Sequence, residues 1–300
     1  MGFFTGTSGN NWIYGTSQND IVYGLGGHDR IYGGYGDDTL SGGAGVDTVH
    51  GGWGDDLLIV EGAQLADGEP YVGEGVEDYR GGTGDDRILI LDLGNMHTQV
   101  RGDSGYDLLD FSWFHSSVFL AGSHYQGPGS LDYSGIEHVR GSSFDDVLIA
   151  DWSVDRIEGQ AGNDIIMGRL KTDTLSGGAG NDTLSGGPGD DVMTGDGGAD
   201  IFEFLENDDA PRGNDRWATI TDFNSTEGDR IDLSQLGTLH FVGERDFGYS
   251  LTGQVRIERD WWSTSRATLE IDLNGDRIAD GHVDIFIEGG GPITADDLIL

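Results

Sequence analysis

Cysteine is absent from the 300 residues, so neither a disulfide framework nor a thiolate metal site can hold this chain together. Any internal staple must be built from oxygen. Positive charge is scarce: 16 basic residues face 54 acidic ones, a formal net charge of -38. Such a chain repels phosphate backbones and anionic lipid headgroups, which excludes nucleic acid and electrostatic membrane attachment and leaves multivalent cations as the natural partners. No run approaches the roughly 20 apolar residues of a transmembrane segment. Residues 1–6 (MGFFTG) have no basic n-region, apolar h-region or small-residue cleavage site, so export, if it occurs, is expected to use no N-terminal leader.

Catalytic signatures are missing too. No HExxH, GxSxG or phosphate-binding GK[ST] occurs, and His28, His50, His97, His115, His124, His138, His240 and His282 are scattered without ligand spacing. No catalytic or cofactor-binding residues are expected. Carboxylate pairs of the kind used on glycosides are too numerous here to inform.

Glycine is abundant, 54 of 300 residues, against about 7% in ordinary chains. It does not recur every third residue, which excludes collagen, and 36% hydrophobic residues with 10% aromatics argue against plain disorder. The glycines belong to a period of nine. From Gly6 the chain reads GTSGNNWIY, GTSQNDIVY, GLGGHDRIY, GGYGDDTLS, GGAGVDTVH and GGWGDDLLI. From Gly141 it reads GSSFDDVLI, ADWSVDRIE, GQAGNDIIM, GRLKTDTLS, GGAGNDTLS, GGPGDDVMT and GDGGADIFE, and isolated copies start at Gly81 and Gly102. Position six is Asp in every copy except the first, where it is Asn11, and position eight is always apolar.

This pattern predicts a six-residue glycine-rich turn followed by a three-residue strand whose middle side chain points inward. Two units make an 18-residue coil, and stacked coils pair their strands in parallel. One buried apolar side chain per nine residues is too little to offset the entropy of ordering them, and stacked carboxylates make the deficit larger. Calcium fits the missing role, because it is a hard cation that takes 6 to 8 oxygen ligands in irregular geometry. Magnesium holds its waters more tightly, and zinc calls for nitrogen and sulfur that the repeats do not offer.

The unit GGxGxDxUx, nearly intact in GGYGDDTLS, GGAGNDTLS and GGPGDDVMT, resembles the nonapeptide of the RTX family, the hemolysin-type calcium-binding repeats. Strict repeats cover about half the chain. The resemblance implies an all-β fold, a parallel β-roll in which each calcium lies between turns 18 residues apart, held by position-six carboxylates and by carbonyls of positions one and three. Carried onto this chain, one cage uses Gly24, Gly26 and Asp29 with Gly42, Ala44 and Asp47. A second uses Gly33, Tyr35 and Asp38 with Gly51, Trp53 and Asp56. In the second run Gly159, Ala161 and Asp164 join Gly177, Ala179 and Asp182, which join Gly195, Gly197 and Asp200. Gly168, Leu170 and Asp173 pair with Gly186, Pro188 and Asp191, and Gly141, Ser143 and Asp146 are further ligands. Counting intervals predicts about five to nine Ca2+ ions. Asp155 and Asp173 are expected in imperfect turns, and the first two copies in a weak N-terminal edge.

Four segments follow: a first repeat array at 1–59, an irregular insert and bridging β-segment at 60–140, a second array at 141–203 and a β-rich cap at 204–300. The stretch from ITDFNSTEGDRIDLSQL to the terminal ADDLIL resembles the C-terminal region of serralysin-type proteins secreted by the type I route. Asp296, Asp297, Leu298, Ile299 and Leu300 resemble its uncleaved export signal, which implies a type I exporter as a partner and an extracellular location. Asp272, Asn274, Asp276 and Asp280 have a spacing reminiscent of a calcium loop, against an ordinary Asn-Gly turn. Trp261 and Trp262 beside Tyr249 are either a sugar-stacking platform or packing in the cap. The expectation is a secreted calcium-binding β-roll that is not itself an enzyme. The alternatives are the C-terminal portion of a secreted hydrolase and a calcium-dependent adhesin with a glycan or cell-surface partner.

Overall fold

A computed structural model describes the chain except for residues 63–75, 95–96, 128, 206–214, 249–251, 260–264 and 289–290. Part of the 60–140 insert and the Tyr249, Trp261 and Trp262 cluster therefore lie outside the described residues. By internal contacts the chain divides into two units, Met1–Val147 and Leu148–Leu300.

In the first unit each nonapeptide adds one short strand, because the glycine-rich turn stops the strand after about three residues. Odd and even repeats alternate between two faces. One face stacks Phe3–Thr5, Ile21–Tyr23, Thr39–Ser41, Leu57–Val60, Arg87–Ile90, Leu108–Asp110 and His138–Arg140, all in parallel. The other stacks Trp12–Tyr14, Arg30–Tyr35, Thr48–Trp53, Val76–Thr83, His97–Ser104 and Ser130–Ser134, again in parallel. His124–Gln126 and Phe119–Ala121 then extend it antiparallel, so the 110–140 region continues the sheet as β-structure.

Register follows the repeat: Val22 lies beside Leu40 and Ile31 beside Val49. These position-eight residues, with Leu58, Ile88 and Leu109, are completely buried between the faces. The same register stacks outward side chains. Tyr14, Tyr32 and His50 form a ladder with ring centroids 5.3 and 5.1 Å apart, and Tyr35 stacks on Trp53 at 4.4 Å.

The second unit repeats the plan. Arg156–Ala161, Thr174–Ala179, Asp191–Gly197, Asp215–Phe223 and Gly281–Ile287 run parallel on one face. Ile165–Met167, Thr183–Ser185, Ile201–Glu203, Arg230–Asp232 and Leu298–Ile299 run parallel on the other. Beyond the repeats the sheet turns antiparallel through Arg266–Asp272 and Gly253–Arg259. The core here is Ile157, Ile166, Leu175, Leu184, Met193 and Phe202, joined by Phe204, Trp217 and Phe223. The architecture is a parallel β-roll with a β-rich C-terminal region. No helix among the described residues is long and apolar enough to cross a membrane.

Candidate metal sites

Each coil brings its position-six carboxylate to the edge between turn and strand, where the stack buries it. Asp29, Asp38, Asp47, Asp56, Asp86, Asp107, Asp164, Asp173, Asp182, Asp191 and Asp200 are all 2% exposed or less. A buried carboxylate needs partners for its oxygens. At most of them one oxygen has one: Oδ1 accepts the backbone N–H of the position-six residue a coil earlier, whereas Asp173 has no partner at either oxygen. The N–H of Asp20 donates to Asp38 at 2.7 Å, that of Asp29 to Asp47 at 2.8 Å and that of Asp38 to Asp56 at 2.7 Å. In the second unit Asp164 donates to Asp182 at 2.7 Å, Asp173 to Asp191 at 2.8 Å and Asp182 to Asp200 at 2.9 Å. The second oxygen, Oδ2, is buried without a hydrogen-bond partner at Asp29, Asp38, Asp47, Asp56, Asp86, Asp107, Asp173 and Asp200.

Oδ2 faces the position-one glycine of its own turn. A β-carbon at Gly33 would collide with Asp38 Oδ2 and lie 2.6 Å from the Gly51 carbonyl oxygen; at Gly168 it would lie 2.5 Å from Asp173 Oδ2 and 2.8 Å from the Gly186 oxygen. Gly24, with Asp29 and Gly42, and Gly159, with Asp164 and Gly177, repeat the arrangement. The intervals at Gly24, Gly33, Gly159 and Gly168 thus have a cradle lined by a carboxylate oxygen and a position-one carbonyl, open because the residue is glycine. Position-three carbonyls enter the same intervals: Ala44 accepts from Gly27 at 2.9 Å, Trp53 from Gly36 at 2.8 Å, Ala179 from Gly162 at 2.9 Å and Gly197 from Gly180 at 2.8 Å. Each keeps a second lone pair. Tyr35 and Leu170 expose their side chains, so only their backbone can contribute.

The turn shape is imposed by the stack as much as by glycine. Position two is left-handed at Gly34 (φ 115°) and equally at Leu25 (76°), Asp103 (71°), Gln160 (83°), Arg169 (72°) and Asp196 (65°). Non-glycine residues hold that conformation against roughly 1–2 kcal/mol each.

Electrostatics match the geometry. Burial, reinforced by neighbouring carboxylates, pushes Asp38 and Asp107 up to about 6, Asp47, Asp56 and Asp200 to about 7, and Asp86 and Asp173 to about 8. Among the described residues no three His, Asp or Glu side chains converge on one point, so a cation here relies on carbonyls with one or two carboxylates. Orphaned carboxylate oxygens and carbonyl-lined cradles are a donor set that fits calcium.

Several position-six groups lie elsewhere than the sequence suggests. The copies at Gly81 and Gly102 stand in the stack: Asp56 N–H donates to Asp86 across 30 residues and Asp86 N–H to Asp107 across 21, both at 2.8 Å. Their motifs were visible, but their spacing hid the pairing. Glu77 is fully buried in line with Asp47, since Thr48 pairs with Asp78; its Oε2 accepts from Thr98 at 3.1 Å, its Oε1 has no partner, and burial raises it to about 8. No sequence signal marks it. Asp229, within GDRID, accepts from Asp200 N–H at 3.0 Å and carries the stack past the last glycine-rich copy.

Asp155 is half-exposed and pairs with Lys171 at 3.4 Å, whereas Asp173 is buried in spite of its imperfect motif. In the turn of Gly141 and Ser143, Asp146 is held by the N–H and hydroxyl of Ser142. The carboxylates of the Asp272 loop take their hydrogen bonds from within the loop. Asp272 accepts from Gly275 and Arg277 N–H groups at 2.7 and 2.9 Å, and Asp280 from Leu273 N–H at 2.7 Å. It is an Asx-bonded turn.

The RTX calcium-binding nonapeptide repeat matches in four copies, at residues 5–34, 23–58, 133–166 and 167–202. No curated protein matches the chain. Similar solved structures include the AlgE6R3 subunit of the Azotobacter vinelandii mannuronan C5-epimerase, at 25% identity over 52% of this chain and 78% of that one, with a TM-score of 0.30. The extracellular lipase LipA from Serratia marcescens aligns with 98% of this chain and 40% of its own length, at 16% identity and a TM-score of 0.27. The four matched copies show that the chain carries RTX calcium-binding nonapeptide repeats, and their oxygen-lined turns stack as a parallel β-roll.

Proposed function

We propose that the chain is an extracellular protein whose biochemical activity is calcium binding coupled to folding, exported by a type I system and without catalysis of its own. The observation that carries this reading is the set of buried Oδ2 atoms, at Asp29, Asp38, Asp47, Asp56, Asp86 and Asp107 in the first unit and at Asp173 and Asp200 in the second, with no donor to offset their burial. Bound calcium supplies the positive charge and the coordination that the chain lacks there. The chain's own residues prepare the intervals: position-one glycines leave the space, position-two residues turn the backbone, and position-six N–H groups, as at Asp20, Asp38 and Asp182, orient the next carboxylate.

About nine divalent ions would carry 18 positive charges and reduce the formal charge of -38 to about -20. Low cytosolic calcium keeps such a chain extended for export, and millimolar calcium outside closes the coils. The acidic and apolar ending, Asp296 to Leu300, is the segment proposed to be read by the exporter. Circular dichroism of the full chain in EDTA, titrated with calcium and separately with magnesium, tests the coupling. A cooperative gain of β-signal with calcium and a much weaker one with magnesium is expected. A full β-signal in excess EDTA at neutral pH overturns it.

A further inference from the structure

Three turns close on themselves. In residues 15–20, Thr16 donates its N–H (2.6 Å) and hydroxyl (2.7 Å) to Asp20 Oδ2. In 141–146, Ser142 donates its N–H to Asp146 Oδ2 at 2.6 Å and its hydroxyl to Oδ1 at 2.8 Å. In 6–11, Thr7 gives its N–H (2.6 Å) and hydroxyl (3.2 Å) to Asn11 Oδ1. The remaining carboxylate oxygens also have donors: Asp20 Oδ1 takes the N–H of Gly2, and Asp146 Oδ1 also takes that of Val118 at 2.7 Å.

Backbone shape separates these turns from the open ones. Thr7, Thr16 and Ser142 are not left-handed, whereas position two is left-handed in the open turns, as at Leu25, Gly34 and Gln160. A β-branched threonine resists that conformation. Outside it, the position-two N–H and hydroxyl swing onto the position-six side chain, as in other local Ser and Thr turns. Hydrogens then face the oxygen where a cation would have to sit. In the first of the three turns position six is neutral Asn11, an acceptor that needs no counter-charge.

We propose that position two selects, turn by turn, whether the position-six group is held by calcium or by the chain itself, and that Thr7, Thr16 and Ser142 select the chain. Turns 6–11, 15–20 and 141–146 close without an ion. The sequence signal is G-[TS]-S, and it stands at the front of both repeat runs, so the first run begins with two turns, and the second with one, that form at any calcium concentration. This inference rests on the calcium reading of the open turns and refines it.

The test is the number of calcium ions retained by the full chain, counted by atomic emission after desalting from millimolar calcium, for Asp20→Asn, Asp146→Asn, Asp38→Asn and Asp56→Asn. Asparagine keeps the Oδ1 acceptor, and two variants of each class guard against one that does not fold. Asp20→Asn and Asp146→Asn should keep the wild-type count, while Asp38→Asn and Asp56→Asn each lose at least one ion. Loss at Asp20 or Asp146 equal to that at Asp38 overturns the proposal. If all four keep the wild-type count, the calcium reading itself fails. The double variant Thr16→Gly, Gln18→Gly, which frees positions two and four to become left-handed, should gain one ion; an unchanged count refutes position two as the selector.

Discussion

Acidification in the absence of calcium should order this protein, the reverse of ordinary acid denaturation. In the metal-free roll Asp47 titrates at about 7 instead of 3.8 because it is buried among other carboxylates. With the folded pKa above the unfolded one, the folded chain binds more protons than the unfolded chain between about pH 4 and 7. Metal-free stability is therefore greatest below about pH 4 and is lost as pH rises through the folded pKa values, which reach about 8 at Asp86 and Asp173. For Asp47 alone a shift of about three units corresponds to on the order of 4 kcal/mol across the window. Protonating one carboxyl relieves its neighbours, so a whole row contributes less than the sum of its members. The assay is circular dichroism in EDTA at pH 5.5 and pH 8, the lower value chosen to stay above the sequence pI of about 4.1. More β-signal at pH 5.5 is expected. Protons and calcium compete for the same oxygens, so the calcium midpoint should move to higher concentration as pH falls from 8 to 6. A metal-free signal that is independent of pH, or stronger at pH 8, refutes the reasoning.

Two further outcomes follow from the turn geometry. Gly33→Ala places a β-carbon against Asp38 Oδ2 and the Gly51 oxygen, whereas at Gly26 the nearest atom to a β-carbon is 3.7 Å away; thermal unfolding in calcium should show Gly33→Ala destabilised by about 1–3 kcal/mol and Gly26→Ala by less than about 1 kcal/mol. Asp155→Ala should leave the calcium midpoint unchanged, because Asp155 is half-exposed and its side chain pairs with Lys171 at the surface, worth about 0–1 kcal/mol, whereas Asp173→Ala should raise that midpoint in the same titration.

The inward residues were legible because a nine-residue period with a three-residue strand leaves one choice of inward side chain: Val22, Leu40, Leu58 and Leu175 are all buried as the pattern requires. The limits of that reading are equally specific. Counting by 18 cannot find Asp86 above Asp56 once the coil between them lengthens to 30 residues, nor Glu77 above Asp47, because pairing in the stack depends on strand register and not on sequence distance. Repeats 6–11 and 15–20 read as weak copies when only glycines are scored. Their Thr7 and Thr16 bonds define a different turn. The Asp272 loop has calcium-like spacing, but its carboxylates accept backbone N–H groups of the loop itself, which spacing alone cannot reveal.

The most direct measurement is the anomalous scattering of crystals grown in millimolar calcium. The account predicts ion peaks in the intervals beside Oδ2 of Asp29, Asp38, Asp47, Asp56 and Asp86 in the first unit and beside Asp173 and Asp200 in the second, with none in the turns of Asn11 and Asp146. Ordered coils without peaks beside those oxygens would contradict it.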